Sequence, residues 1–555
     1  MIDQSKSLRD SLVKSGLLSE AQVKEAIEEG RRTGETLIKS ILRKGMVDED
    51  TLISFLEKEM EIPRVDLSSY LVDQKTVDLV PIATARKYKL IPLFKVGDVL
   101  TVAMVDPFNV LALDEVRSKS KCDVEPMVAT SKEIEAAIGQ YYGVAGSVED
   151  LIKDIGPMPQ AAKAAVSTAE EAPVIKLVNL LILRAVSEGA SDVHMEPTEK
   201  NVRIRYRVDG MMHDVSTAPL YLLSSLVTRI KVMSKMDIAE SRLPQDGRFE
   251  LKVEAKSIDV RVSSFPSIFG EALVMRLLDK SSVLFGLEEL GFGEDNLKKF
   301  EDVIKRPYGI ILVTGPTGSG KTTTLYATLS HILSPEKNIM TIEDPVEYEL
   351  PGVRQAQVNV KAGLEFATAL RSMLRQDPDV ILVGEIRDVE TAKVAIQASL
   401  TGHLVFSTLH TNDAAGSLNR LVDMGVEPFL TASAVASAIA QRLVRTICKN
   451  CKVPFEPSPE VLKKLGFNPD EKIEFYHGKG CKACRNTGYR GRTAIFEILV
   501  VDAKIEELIL RKASSAEIRQ AAVQAGMRTL RDDGLLKARQ GLTTIDEVFR
   551  VTQLD

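Results

Sequence analysis

One octapeptide constrains this chain more than any other part of it: Gly315-Pro316-Thr317-Gly318-Ser319-Gly320-Lys321-Thr322. It follows a short apolar run at 310–313 and precedes a helix predicted to begin near Lys321. A glycine-rich loop between a buried strand and a helix start can wrap tightly enough for successive backbone N–H groups to converge on one anion. The helix start adds its free N–H groups and the positive end of its dipole. Strand, loop and helix in that order are the context that a phosphate loop requires. The reading is an ATP site made by these eight residues and Thr323, with Lys321 reaching the β- and γ-phosphates and the Thr322 hydroxyl ligating Mg2+.

Two acidic strand ends are candidates for the same site. The apolar strand at 380–383 ends in Gly384-Glu385, and the strand at 338–342 leads into Glu343-Asp344-Pro345-Val346-Glu347. In open α/β sheets ligands bind beyond the carboxyl ends of the strands. Glu385 is assigned to the Mg2+ shell and its water, and Glu343 to the general base, with that division left open.

Composition narrows the partners. The 555 residues are 44% hydrophobic and 27% charged, with a net charge of −6, which suits several globular cores. The acidic balance, the absence of Trp and an aromatic content of 5% argue against nucleic acid as partner. The first ten residues lack the apolar core of a signal peptide, and the uncharged run at 394–412 is too polar to span a membrane. A cytoplasmic chain that meets the membrane only through a partner is expected.

Cys448-Lys-Asn-Cys451 and Cys481-Lys-Ala-Cys484 are two C-x-x-C pairs separated by 29 residues. Two such turns supply four thiolates, a closed tetrahedral set that selects structural Zn2+. A redox dithiol and His477 as a replacement ligand are the weaker alternatives. Cys122 reads as a buried core residue.

The chain divides by pattern. Residues 1–62 contain two copies of one unit, beginning at Leu8 and Leu37 and offset by 29 residues. Each is a helix, a glycine cap (Gly16, Gly45) and a second helix capped by Ser19 or Asp48. Residues 63–143 alternate strand and helix, with a hairpin turn at 96–98 and a helix over 130–140. An Ala-, Pro- and Ser-rich stretch at 144–172 predicts a flexible linker with a short helix at 148–155. An α+β unit spans 173–285, with a helix over 174–188 and strands at 202–208, 248–253 and 257–265. It ends in a hinge near 279–286. Residues 290–445 alternate buried strands and helices, the pattern of a parallel α/β core. A tail follows, with a zinc insertion at 446–490 and helices over 500–555.

From about 171 to the end, the chain resembles the secretion-ATPase superfamily, in its type IV pilus extension and type II secretion branch. GPTGSGKTTT resembles that family's Walker A segment, TIEDPVEY its Asp box, LRQDPDVILVGEIRD its Walker B and TGHLVFSTLHTND its His box. ASDVHMEP, RYRVDG, RLPQDGR and DVRVS resemble its second N-terminal domain. The resemblance implies a multidomain α/β protein with a RecA-like core, working as a homo-hexamer on an inner-membrane platform protein. It implies phosphate contacts from Arg207, Arg242, Arg248, Arg261 and Arg276, with Arg248 and Arg261 favoured. It implies nucleotide sensing by His403 and His410, and zinc at the four cysteines. The N-terminal repeat resembles the domain that binds cyclic di-GMP in some members. Here its openings are Ser7-Leu8-Arg9 and Thr36-Leu37-Ile38 and its closing positions are Gly30 and Glu59, which argues against that ligand and for docking to a partner. Pilus assembly is the first reading, type II secretion the close alternative, and a DNA-uptake motor a more distant one.

Overall fold

The computed structural model describes residues 2–142, 172–280, 285–458, 462 and 474–552, so all but the last residue of the linker expected at 144–172 and the middle half of the hinge expected at 279–286 lie outside the described residues. The helical repeat follows its caps. Ser19 and Asp48 accept the backbone N–H groups of Gln22 and Thr51, opening the helices Glu20–Thr33 and Glu49–Glu59. Gly16 and Gly45 close the preceding helices at φ 73° and 64°, the left-handed region that glycine reaches at least cost. Leu12, Val23, Ile41 and Leu52, equivalent in pairs between the copies, share one apolar core.

Next comes a three-stranded sheet, Leu90–Val96, Val99–Met104 and Asp123–Val128, backed by the helices Val110–Ser120 and Ser131–Tyr141. A two-residue strand, Tyr70–Leu71, leaves this region and pairs in parallel with Lys252 and Val253 at the edge of a second sheet. That sheet runs, in spatial order, Tyr70–Leu71, Gln245–Val253, Lys256–Ser267, Gly270–Asp279, Ala190–Pro197, Asn201–Val208 and Met211–Pro219. Three of these strands, Ala190–Pro197, Met211–Pro219 and Gly270–Asp279, were not expected from the sequence. Successive side chains alternate faces. Val193, Met195, Ile204, Tyr206, Val260, Val262 and Met275 form a core with the helices Ala172–Ser187 and Leu223–Met233. The charged residues between them fall on the other face.

These elements make one unit, Met1–Ser281; the other is Ser282–Asp555. The second unit is built on a seven-stranded sheet in the order Arg354–Gln357, Ile339–Glu343, Val380–Val383, Leu404–Leu409, Gly309–Thr314, Val435–Ile447 and Tyr489–Val500. Six strands are parallel, and the apolar runs of the middle ones are buried on both faces, as helices on both sides of a parallel sheet require. The seventh fills the stretch between the expected zinc insertion (446–490) and the helices expected over 500–555. Tyr489–Val500 returns from the thiol-bearing segment to pair antiparallel with Val435–Ile447. Among the described residues no helix is long and apolar enough to cross a membrane.

Candidate nucleotide site and thiol cluster

The strand Gly309–Thr314 lies between Leu404–Leu409 and Val435–Ile447, and the phosphate loop leaves its carboxyl end. Gly315, Gly318 and Gly320 have φ of 147°, 77° and 89°. Space as well as strain excludes a side chain at Gly315, where a Cβ would meet the Gln441 carbonyl oxygen at 2.5 Å and Ser319 Oγ at 2.7 Å. Pro316, Thr317 and Gly318 are exposed at the tip. Ser319 is buried, and its hydroxyl has no hydrogen-bond partner among the described residues. An orphaned hydroxyl inside such a loop fits an anion as its missing acceptor.

Lys321 opens the helix Lys321–Ile332 and bends back over the loop. Its Nζ donates to the carbonyl oxygens of Gly315 (2.8 Å) and Pro316 (3.1 Å). Burial draws the ammonium's pKa below the usual lysine value, and the Glu385 carboxylate opposes that shift. Thr322 and Thr323, partly exposed, stand in the first turn of the helix beside it.

The two acidic strand ends meet through backbone. A Cβ on Gly384 would lie 3.3 Å from both Glu343 Cα and the Ile342 carbonyl oxygen, so glycine is what lets the two turns close on each other. Beyond it, Glu385 pairs with Arg387, and its Oε2 lies 3.5 Å from His410 Nε2. Glu343 is buried and takes hydrogen bonds from Tyr326 and Thr341. Lys321, Thr322, Glu385, Glu343 and His410 therefore share one end of the sheet.

His403 does not join them, which corrects the expectation that both histidines sense nucleotide. His410 follows the last residue of the strand Leu404–Leu409, whereas His403 precedes its first. The strand runs parallel to the P-loop strand, Gly309 opposite Leu404 and Thr314 opposite Leu409, so His403 lies at the far edge of the sheet. Its Nδ1 is 2.8 Å from the Ala398 carbonyl oxygen at the end of the helix Val389–Leu400.

Two residues missed in the sequence support the loop from below. Gln441 Oε1 accepts from Thr324 Oγ1 at 2.8 Å. Arg442, 8% exposed, donates to the carbonyl oxygens of Asn412 (2.9 Å) and Gln441 (3.2 Å). The signal was there: Gln441-Arg442 inside a buried, largely apolar strand is a polar pair that must find buried partners.

In the other unit, four of the five candidate arginines form one row. Strand register places Arg248 opposite Arg261, Arg261 opposite Arg276, Arg276 opposite Asp192, and Asp192 opposite Arg207. Asp192, buried, sits between the last two, 3.1 Å from Arg276 Nε and 3.5 Å from Arg207 Nε. Arg261 lies 3.7 Å from Asp259. Arg248 is exposed and has no ion pair among the described residues. Arg242 departs from the expected group: it stands off the row, 85% exposed, with its guanidinium on Glu240.

The four cysteine sulfurs lie within 4.8 Å of one another, with Cys448–Cys481 and Cys451–Cys484 at 3.8 Å and Cys481–Cys484 at 3.7 Å. Thiolates about 2.3 Å from a tetrahedral Zn2+ stand roughly 3.8 Å apart, so the donor set fits that ion. Burial opposes ionisation of Cys484, but the N–H groups of Cys481 and Gly488 bring it down to about 6. Burial and the neighbouring thiols push Cys451 up to about 12. His477 is not part of the set. Its ring packs edge-on against Phe455.

Comparison with known proteins agrees with this geometry. A family described as type II/IV secretion system protein matches residues 167–550, and the MshEN domain matches residues 60–148. The chain is 43% identical to the type IV pilus assembly ATPase PilB of Myxococcus xanthus, over 99% of each chain. It is 44% identical to the type II secretion system ATPase E of Vibrio cholerae, over 87% of this chain and 98% of that one. The Legionella pneumophila ATPase DotB shares the fold at a TM-score of 0.50 and 20% identity, over 71% of this chain and 97% of that one. With a family match over most of its length and a relative aligned from end to end, the chain belongs to the type II/IV secretion system ATPases.

Proposed function

We propose that the chain is a hexameric motor that hydrolyses ATP to drive type IV pilus assembly through an inner-membrane platform protein. One observation carries the chemistry: Lys321 lies across an anion cradle with Glu385 and His410 at the same strand ends. Identity to a pilus assembly ATPase over nearly the whole chain supports the cargo. The motor of type II secretion is the second reading, favoured by comparable identity to that group. A deletion strain decides: loss of surface pili with secretion intact supports the first, and the reverse result the second.

Lys321 and the loop N–H groups hold the β- and γ-phosphates, and Thr322 and Glu385 hold Mg2+, which offsets phosphate charge when bound. Glu385→Gln should keep MgATP affinity within about threefold and slow turnover roughly 10²- to 10³-fold. A variant that loses affinity yet turns over bound ATP at the normal rate would contradict this role. The arginine row supplies further cations to phosphate, with Arg248 and Arg261 as the contacts. The working place is the inner face of the cytoplasmic membrane, reached through the platform protein. The N-terminal repeat docks a protein partner rather than cyclic di-GMP.

We assign one structural Zn2+ per chain to Cys448, Cys451, Cys481 and Cys484. Metal analysis of protein purified without chelator should find it at a ratio near one. Cys484→Ser should lose the metal and loosen this lobe, while the P-loop, built from other strands, still binds nucleotide. Protein free of zinc in that analysis would remove the assignment.

A further inference from the structure

The helix that begins at Lys321 carries a second functional face. Thr322 and Tyr326 are four residues apart, so they lie on one side of it, one turn from each other. Tyr326 is 1% exposed, with its ring edge-on to Tyr348 at 4.5 Å between centroids. Its hydroxyl donates to Glu343 Oε2 and accepts the Glu347 N–H at 3.3 Å. The other carboxylate oxygen, Glu343 Oε1, accepts from Thr341 Oγ1 at 2.6 Å and from Gln355 Nε2 at 3.2 Å. Gln355 is itself fixed, since its Oε1 accepts the Leu350 N–H at 2.6 Å. A carboxylate offers about four acceptor positions, and three are filled here by protein donors. One position remains for a water or its proton.

We propose that Tyr326 is a positioning residue for ATP hydrolysis: its hydroxyl fixes the Glu343 carboxylate, and the turn that follows it, relative to the Mg2+-binding turn of the P-loop helix. The inference rests on the ATPase reading above. Tyr326 joins three pieces of chain distant in sequence, namely the P-loop helix, the strand end at Glu343 and the turn at Glu347. A nucleotide that shifts the helix start therefore moves the Glu343 carboxylate with it. Burial and the adjacent Glu343 carboxylate push the phenol pKa well above the usual tyrosine value, so the hydroxyl keeps its proton and remains a donor. Among the described residues, the titratable groups set against Glu343 are Tyr326 from the helix and Tyr348 from the turn, with Glu347 beside Tyr348.

Tyr326→Phe keeps the ring and its packing on Tyr348 and removes only the hydroxyl. The full-length protein should then lose about tenfold in kcat, with the KM for ATP within about twofold. A carboxylate that loses a donor holds its proton more tightly, so the acid limb of the kcat–pH profile should move to higher pH. In a Glu343→Gln background the same substitution should change kcat by less than about twofold, because the two groups act as one unit. An unchanged kcat, or a loss with an unmoved acid limb and an equal further loss in the Glu343→Gln background, overturns the positioning role. The wild type measured alongside separates the two readings. If it turns over ATP while Tyr326→Phe is normal, only the positioning role falls. If the wild type does not hydrolyse ATP, the ATPase reading falls and takes the positioning role with it.

Discussion

Lys321→Ala should bring ATP turnover to background, a loss of at least about 10³ in kcat, and abolish pilus assembly. Lys321 Nζ donates to two carbonyl oxygens of its own loop. ATP offers anionic oxygens in their place, and a charge-assisted hydrogen bond is roughly twice as strong as a neutral one. Partial burial strengthens that exchange, because it disfavours an ammonium without an anion. Nothing in the core depends on the side chain. Lys321 is partly exposed, and both of its hydrogen bonds stay within residues 315–321. The thermal midpoint should therefore move by no more than about 2 °C. Phosphate release by the purified variant is the measurement. Turnover near that of the wild type would end the assignment of this loop.

The parts of this site that were legible in the sequence are those whose physics is local. The P-loop is a short run whose glycines and lysine act on one ligand. The two C-x-x-C pairs announce a ligand set by type and spacing alone. Buried parallel strands such as Val380–Val383 appear as unbroken apolar runs. What was not legible depends on long-range pairing. Ala190–Pro197 alternates apolar with Asp192, His194 and Glu196, and the two carboxylates find their partners only through strand pairing, Asp192 with Arg207 and Arg276 and Glu196 with Arg205. Tyr489–Val500 follows the thiol turn and Gly488, and it becomes a sheet edge only through Val435–Ile447. His403 was drawn in by its motif. It stands seven residues before His410, and a strand carries residues that far apart to opposite edges of a sheet. Tyr326 carried no signal, because an aromatic residue inside a buried helix reads as core until a carboxylate is found against its hydroxyl.

Arg248→Ala should lower kcat by about 10³ or more while leaving ATP affinity within roughly threefold, as expected of a cation that meets phosphate charge as it develops. The row of arginines makes this residue the cleanest probe. Arg207 and Arg276 both lean on Asp192, so removing either leaves a buried carboxylate short of a partner and costs about 1–3 kcal/mol of stability. A loss of activity there would mix folding with chemistry. Arg248 is exposed and pairs with no carboxylate among the described residues, so its loss should leave the thermal midpoint nearly unchanged. Its neighbour across the strands, Arg261, lies close to Asp259 and should show a smaller separation of the two effects. In the proposed ring each site pairs a P-loop with arginines of the α+β domain, and a mixing experiment tells which chain supplies them. Arg248→Ala chains keep an intact P-loop, and Lys321→Ala chains keep an intact arginine row. If the arginine acts across subunits, mixed rings should regain turnover at interfaces that join the two intact halves, although each parent ring is inactive. Rings shown to be mixed that remain inactive would place the contact within one chain. A parent Arg248→Ala ring with normal turnover would remove the residue from the phosphate site altogether.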